Sequence, residues 1–181
     1  NYIARFLLLY LLSTTAFQRP GRNDPISPQV DTDAQVPLLL GDWSRLHAGL
    51  LVVLATAVGV WWLLTRSTVG FKFRAVGANP WAARTAGIHT GMTIFLAMAV
   101  AGGLAGLAGA FQIVSTERSL TPGSSAGIGF VAITVALLGR GNPLGIVLAA
   151  LLFGALYQGG AELVFEIPGF SRDMVFTLQG L

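Results

Sequence analysis

The chain has 181 residues, and its eleven basic and eight acidic side chains make 10% of it charged, against roughly 25% in an ordinary globular domain. Mean hydropathy is +0.69, and the 23 glycines are nearly double the usual share of about 7%. So few charges cannot cover a water-facing surface of this size, so the chain reads as a membrane protein. A net charge of +3 without clustered cations argues against nucleic-acid binding. With no cysteine there is no disulfide framework, thiolate nucleophile or zinc-thiolate site.

In chain order, residues 2–17 form a first hydrophobic segment with one charge, Arg5, near its start. No basic leader or cleavage site precedes it and there is no initiator methionine, so the chain reads as part of a longer protein. Residues 18–45 are a polar, turn-rich connection carrying Asp24, Asp31, Asp33 and Asp42 beside Pro20, Pro25, Pro28 and Pro37. A hydrocarbon core about 30 Å thick needs roughly 20 apolar residues in helix. The uncharged run 46–65 has that length, and 92–114 supplies another. Segments 119–139 and 143–161 flank Arg140, and 173–181 only begins a further span.

Between these spans, residues 66–91 hold Arg66, Lys72, Arg74 and Arg84 with no acid. If successive segments cross the membrane, all eight acids fall on one side and six basic residues on the other. Counting only Lys and Arg, six against five is a weak split, so the cation density of 66–91 places that loop in the cytoplasm. Residues 18–45 are then extracytoplasmic.

Two stretches carry local signals. Asn79-Pro80-Trp81-Ala82-Ala83-Arg84 followed by Gly87 is full helix punctuation: Asn79 to cap free amides, Pro80 in the first turn, Gly87 as a left-handed stop. A helix of about seven residues is marginal alone. It either lies on its own bundle or docks on something else. Gly102 and Gly106 form a G-x-x-x-G pair continued by Gly109, a small face suited to close helix packing. Pro122-Gly123 then breaks the chain before 128–138, a run too short to span by itself. Broken segments at membrane depth are tolerated where they line a cavity, which points to a polar substrate's path.

Catalytic groups are scarce. His47 and His89 fit no H-E-x-x-H pattern, and the single lysine, Lys72, lies in no phosphate loop. No carboxylate falls inside a span, which argues against a carrier driven by buried acids. These residues predict no enzyme, no metal and no cofactor on this chain, and any energy source on another.

Gly70-Phe-Lys-Phe-Arg-Ala-Val-Gly-Ala-Asn-Pro-Trp-Ala-Ala-Arg-Thr-Ala-Gly-Ile88 closely resembles the cytoplasmic coupling loop of bacterial ABC importer permeases. The branch is the ribose/branched-chain amino acid superfamily, and within it the nucleoside and simple-sugar permeases. The likeness continues through the Gly/Ala-rich helix, Leu120-Thr-Pro-Gly-Ser-Ser-Ala-Gly-Ile-Gly-Phe130 and Ala136-Leu-Leu-Gly-Arg-Gly-Asn-Pro-Leu-Gly145, and Asn1-Tyr-Ile-Ala4 is like the start of a mid-chain helix in that group. It implies an all-α polytopic bundle of the type II importer kind, of which this chain resembles a C-terminal half. It also implies a second permease subunit, identical or not, cytoplasmic ATPase subunits that hold ATP and Mg, an extracytoplasmic substrate-binding protein, and a multi-pass place in the bacterial cytoplasmic membrane. By the same analogy the helix at Pro80 fits a groove on the ATPase, with Asn79 to Arg84 and Gly87 as the coupling residues.

The expected cargo is a nucleoside or related simple sugar, with ribose-type sugars or branched-chain amino acids as the alternative. A hydroxyl-rich neutral ligand suits a path lined by Asn1, Tyr2, Phe130 and Thr134, and less by Gln112; each also suits packing in the bundle. A non-transporting membrane scaffold assembled through the small-residue faces is the alternative of another class.

Overall fold

The structure, a computed structural model, describes residues 2–21, 24–37, 47–124 and 127–166, with the backbone alone for 161–166. Among them there is no β-strand. The described residues form seven α-helices: α1 (Tyr2–Ser13), α2 (Gly49–Arg66), α3 (Thr68–Ala78), α4 (Pro80–Thr85), α5 (Thr90–Gln112), α6 (Ile128–Leu138) and α7 (Pro143–Glu166). Two compact units divide at Ala126 and Gly127.

Among the described residues, three helical stretches are long and apolar enough to cross a membrane: Gly49–Arg66, Thr90–Glu117 and Pro143–Gly160. Almost none of their apolar surface is buried within the chain. This inverts the plan of a soluble protein and is what lipid, which needs no apolar face hidden, permits. The buried apolar set is correspondingly small: Leu12, Val76, Ala83, Val135 and Ala149.

In the first unit, the polar connection after α1 is fixed by hydrogen bonds to a segment far along the chain. Ser27 N–H donates to Leu120 O at 3.1 Å, Leu120 N–H donates to Ser27 Oγ at 2.8 Å, and Val30 N–H donates to Arg118 O at 2.8 Å. Two acid-bearing connections, one with Asp24, Asp31 and Asp33 and one with Glu117, therefore lie side by side. Helix α5 leads into the second of them through a π-helical turn, Ile113–Glu117, closed by Arg118 at φ +58°.

The stretch 66–91 is no plain loop. Ser67 leaves helical geometry, at φ −99° and ψ 154°, and turns the chain from α2 into α3. Its hydroxyl donates to Leu63 O at 2.6 Å and accepts from Gly70 N–H at 2.9 Å. Gly70 meets the end of α2 so closely that a Cβ there would collide with Leu63 O and lie 2.7 Å from Leu64 Cα. Arg74 donates from Nη1 to Leu64 O, one of the carbonyls α2 leaves open at its end. Helix α3 then packs against α2, α4 and α5.

The second unit pairs α6 with α7. The two meet at Gly139, where a Cβ would stand 2.6 Å from Ile146 N and 2.7 Å from Ile146 Cα. Helix α6 has only 11 residues, about 16 Å of rise, roughly half a hydrocarbon core. Before it, Thr121–Ser124 form a turn in which Ser124 Oγ accepts from Thr121 N–H at 3.0 Å, so residues 119–139 contain the break expected at Pro122-Gly123. Residues 173–181 lie outside the described residues.

Candidate functional site

The corner from Ala78 to His89 is built from local rules. Asn79 is extended, at φ −158° and ψ 105°, and its Oδ1 accepts from Trp81 N–H at 3.0 Å and Ala82 N–H at 3.1 Å. These amides would otherwise be open donors at a helix start, and Pro80 has none to satisfy. Helix α4 stops in a Schellman motif: Gly87 N–H donates to Arg84 O and Ile88 N–H to Ala83 O, both at 3.0 Å, with Gly87 at φ +81°. Six residues between two hydrogen-bonded caps make a helix that needs no length of its own.

Packing orients it. Ala83 is 4% exposed, and α4 rests on α3 and α5. Val76 on α3 and Thr93 on α5 are buried as well, and Thr93 Oγ1 donates to His89 O at 3.0 Å. The opposite face is free: Trp81 is 77% exposed, and Ala82 and Arg84 are exposed as well. A tryptophan and a guanidinium presented by a rigid, doubly capped helix form a surface another protein can grip, and Ala83 ties that surface to α3 and α5.

The residues expected along a substrate path fall in both units, and each is described within its own. Asn1 lies outside the described residues. Tyr2 opens α1 at 78% exposure. Gln112, at the end of α5, is half-buried and donates from Nε2 to Glu117 Oε1 at 3.4 Å across the π turn. In the second unit Phe130 is 80% exposed, and Thr134 Oγ1 donates to Phe130 O at 3.3 Å within α6. Gln112 and Thr134 thus have local partners.

The small face expected to pack at Gly102, Gly106 and Gly109 is open among the described residues. A Cβ at any of the three would meet no atom within 4 Å. Among the described residues no group of three His, Cys, Asp or Glu could hold a metal ion.

One arrangement passed over in the sequence is a row of aromatic rings on α1. Tyr2, Phe6 and Tyr10 recur at i, i+4 and i+8, the spacing that puts side chains on one helix face. That spacing is the signal the sequence carries for the row, and Tyr2 by itself does not reveal it.

The sequence matches, over residues 1–177, the family described as the permease component of branched-chain amino acid transport systems. It is 35% identical over 181 residues to the guanosine ABC transporter permease protein NupP of Bacillus subtilis, covering 98% of this chain and 52% of that protein. Over 135 residues it is 39% identical to the nucleoside ABC transporter permease protein NupB of Lactococcus lactis, covering 74% of this chain and 35% of the relative. It is 33% identical over 189 residues to the glucose ABC transporter permease protein TsgB13 of Haloferax volcanii, covering 98% and 50%. The chain spans about half the length, or less, of these relatives. No solved structure matches it.

Proposed function

The chain belongs to this family of membrane permease components, and from that premise we propose that it is part of the permease subunit of an ATP-driven importer carrying nucleosides or related simple sugars. Relatives named for guanosine and nucleoside transport support the cargo, and the one named for glucose supports the sugar side of the same reading. The observation that carries the mechanism is α4: a six-residue helix, capped at both ends, with Trp81 and Arg84 outward and Ala83 buried against its neighbours.

In this reading α4 faces the cytoplasm and seats in a partner ATPase subunit, which holds ATP and Mg, while this chain has no nucleotide site of its own. A second permease subunit completes the path, an extracytoplasmic binding protein delivers the cargo, and the assembly sits in the bacterial cytoplasmic membrane. A shift of α4 moves α3 and α5 with it, because the three pack on one another. The Ser67 and Arg74 bonds carry the shift on to the end of α2. Two ATPase states then favour two arrangements of the spans. Asn1, Tyr2, Phe130, Thr134 and Gln112 are the residues of this chain assigned to the path.

Trp81→Ala or Arg84→Ala in the full complex, reconstituted in vesicles, is the test. Uptake per ATP hydrolysed falls several-fold while affinity for the loaded binding protein persists. Unchanged coupled uptake would count against α4 as the contact. A complex that purifies without any ATPase subunit would favour the scaffold reading.

A further inference from the structure

At the C-terminal end of α1 an open groove of about 700 Å³ is lined by Phe6, Leu9, Tyr10 and Ser13 of the helix and by Gln18 and Pro25 of the connection after it. Phe6 and Tyr10 are 66% and 69% exposed, and with Tyr2 they form the aromatic row along this face.

Membrane anchoring does not account for the row. Tyrosines anchor helices where the ring meets the headgroups. Tyr2 and Tyr10 are eight residues, about 12 Å, apart along the axis, whereas the two interfaces are separated by about 30 Å. With Tyr10 at an interface and α1 running inward from it, Tyr2 lies within the apolar layer, where an unpaired hydroxyl is costly. Neither phenol has a hydrogen-bond partner among the described residues. A row with hydroxyls at two depths suits a wet, aromatic-walled path.

The polar atoms of the groove define what it takes. Ser13 Oγ gives its proton to Tyr10 O at 2.7 Å and keeps its lone pairs as acceptors. Gln18 Nε2 donates to Asp24 O at 3.1 Å, which fixes the amide and leaves Oε1 as an acceptor. Flat apolar faces beside acceptors, with no charged side chain in the lining, match a neutral planar ring with N–H and hydroxyl donors. A free sugar offers the hydroxyls but no aromatic face.

We propose that this groove is a reception site for the base of a nucleoside, with Phe6 and Tyr10 stacking on the heterocycle and Ser13 and Gln18 accepting from its donors. The proposal rests on the importer reading above and narrows its cargo. In the reconstituted complex, labelled uridine is the probe and the Phe6→Leu/Tyr10→Leu double variant removes the aromatic faces while keeping apolar bulk. Losing base–aromatic stacking raises the uridine KM about tenfold or more, with maximal rate within about twofold. Tyr10→Phe, which keeps the face, stays within about threefold. Should the double variant fail to assemble, Tyr10→Leu alone still raises KM several-fold. An unchanged KM, or a fall in maximal rate alone as a packing defect would give, overturns the groove but not the importer. Absence of uridine uptake by the unaltered complex overturns the nucleoside reading itself, and this site with it.

Discussion

The dipeptide Asn-Pro occurs twice at a helix start, at residues 79–80 and 142–143, and the two corners differ instructively. Asn79 caps two amides of a six-residue helix, whereas Asn142 Oδ1 accepts only from Leu144 N–H, at 3.2 Å, at the head of a 24-residue helix. The helix that follows the first corner and the helix that precedes the second end alike. Helix α6 closes with Gly141 N–H on Ala136 O and Arg140 N–H on Leu137 O, the same Schellman pattern that ends α4. The left-handed position is Gly87 in one case and Arg140, at φ +53°, in the other. A short helix depends on its ends, while a long apolar one is held by its length and by its neighbour.

The largest effect expected from this contrast is at Gly139. Gly139→Val drives side-chain atoms into the Ile146 backbone, and overpacking of this kind costs about 1–3 kcal/mol. Thermal unfolding of the purified complex should show the loss, and an unchanged midpoint would mean that α6 and α7 do not rely on this contact.

The two cap asparagines come next and should separate. Asn79→Ala costs about 1–2 kcal/mol locally and lowers coupling, with Asn79→Asp or Ser restoring it; Asn142→Ala costs at most about 0.5 kcal/mol. Because the chain has no cysteine, a single Thr85→Cys reports the state of α4 through its labelling rate. Equal responses to the two asparagine changes would erase the distinction between the corners.

The smallest expected change on the α4 side is at its exit. Gly87→Ala places a Cβ at φ +81° in open space, so only the backbone preference opposes it, about 1 kcal/mol. The same cysteine probe should register faster labelling, but less so than for Asn79→Ala.

How legible these features were in the sequence follows how local their causes are. Asn79, Pro80 and Gly87 can be read directly because capping involves atoms within a few residues. The apolar helices can be read because hydropathy is a sum along the chain. Helix α3 was hidden in a stretch read as a loop, since Gly70, Lys72, Arg74 and Gly77 weaken the apolar pattern; it forms where Ser67 caps it and where α2 and α5 pack on it. The bonds joining Ser27 and Val30 to Leu120 and Arg118 connect positions about ninety residues apart, and no window along the chain registers them. The row made by Tyr2, Phe6 and Tyr10 shows only in their i, i+4, i+8 spacing and in no one of the three residues alone.

The Ser67 hydroxyl engages the last turn of α2 and the first turn of α3 with a single oxygen. A joint made by one atom acts as a weld and not as a swivel. Torque applied to α3 has little slack to take up before α2 must answer, and without that oxygen the Arg74 bond and the Gly70 contact would have to carry the load by themselves.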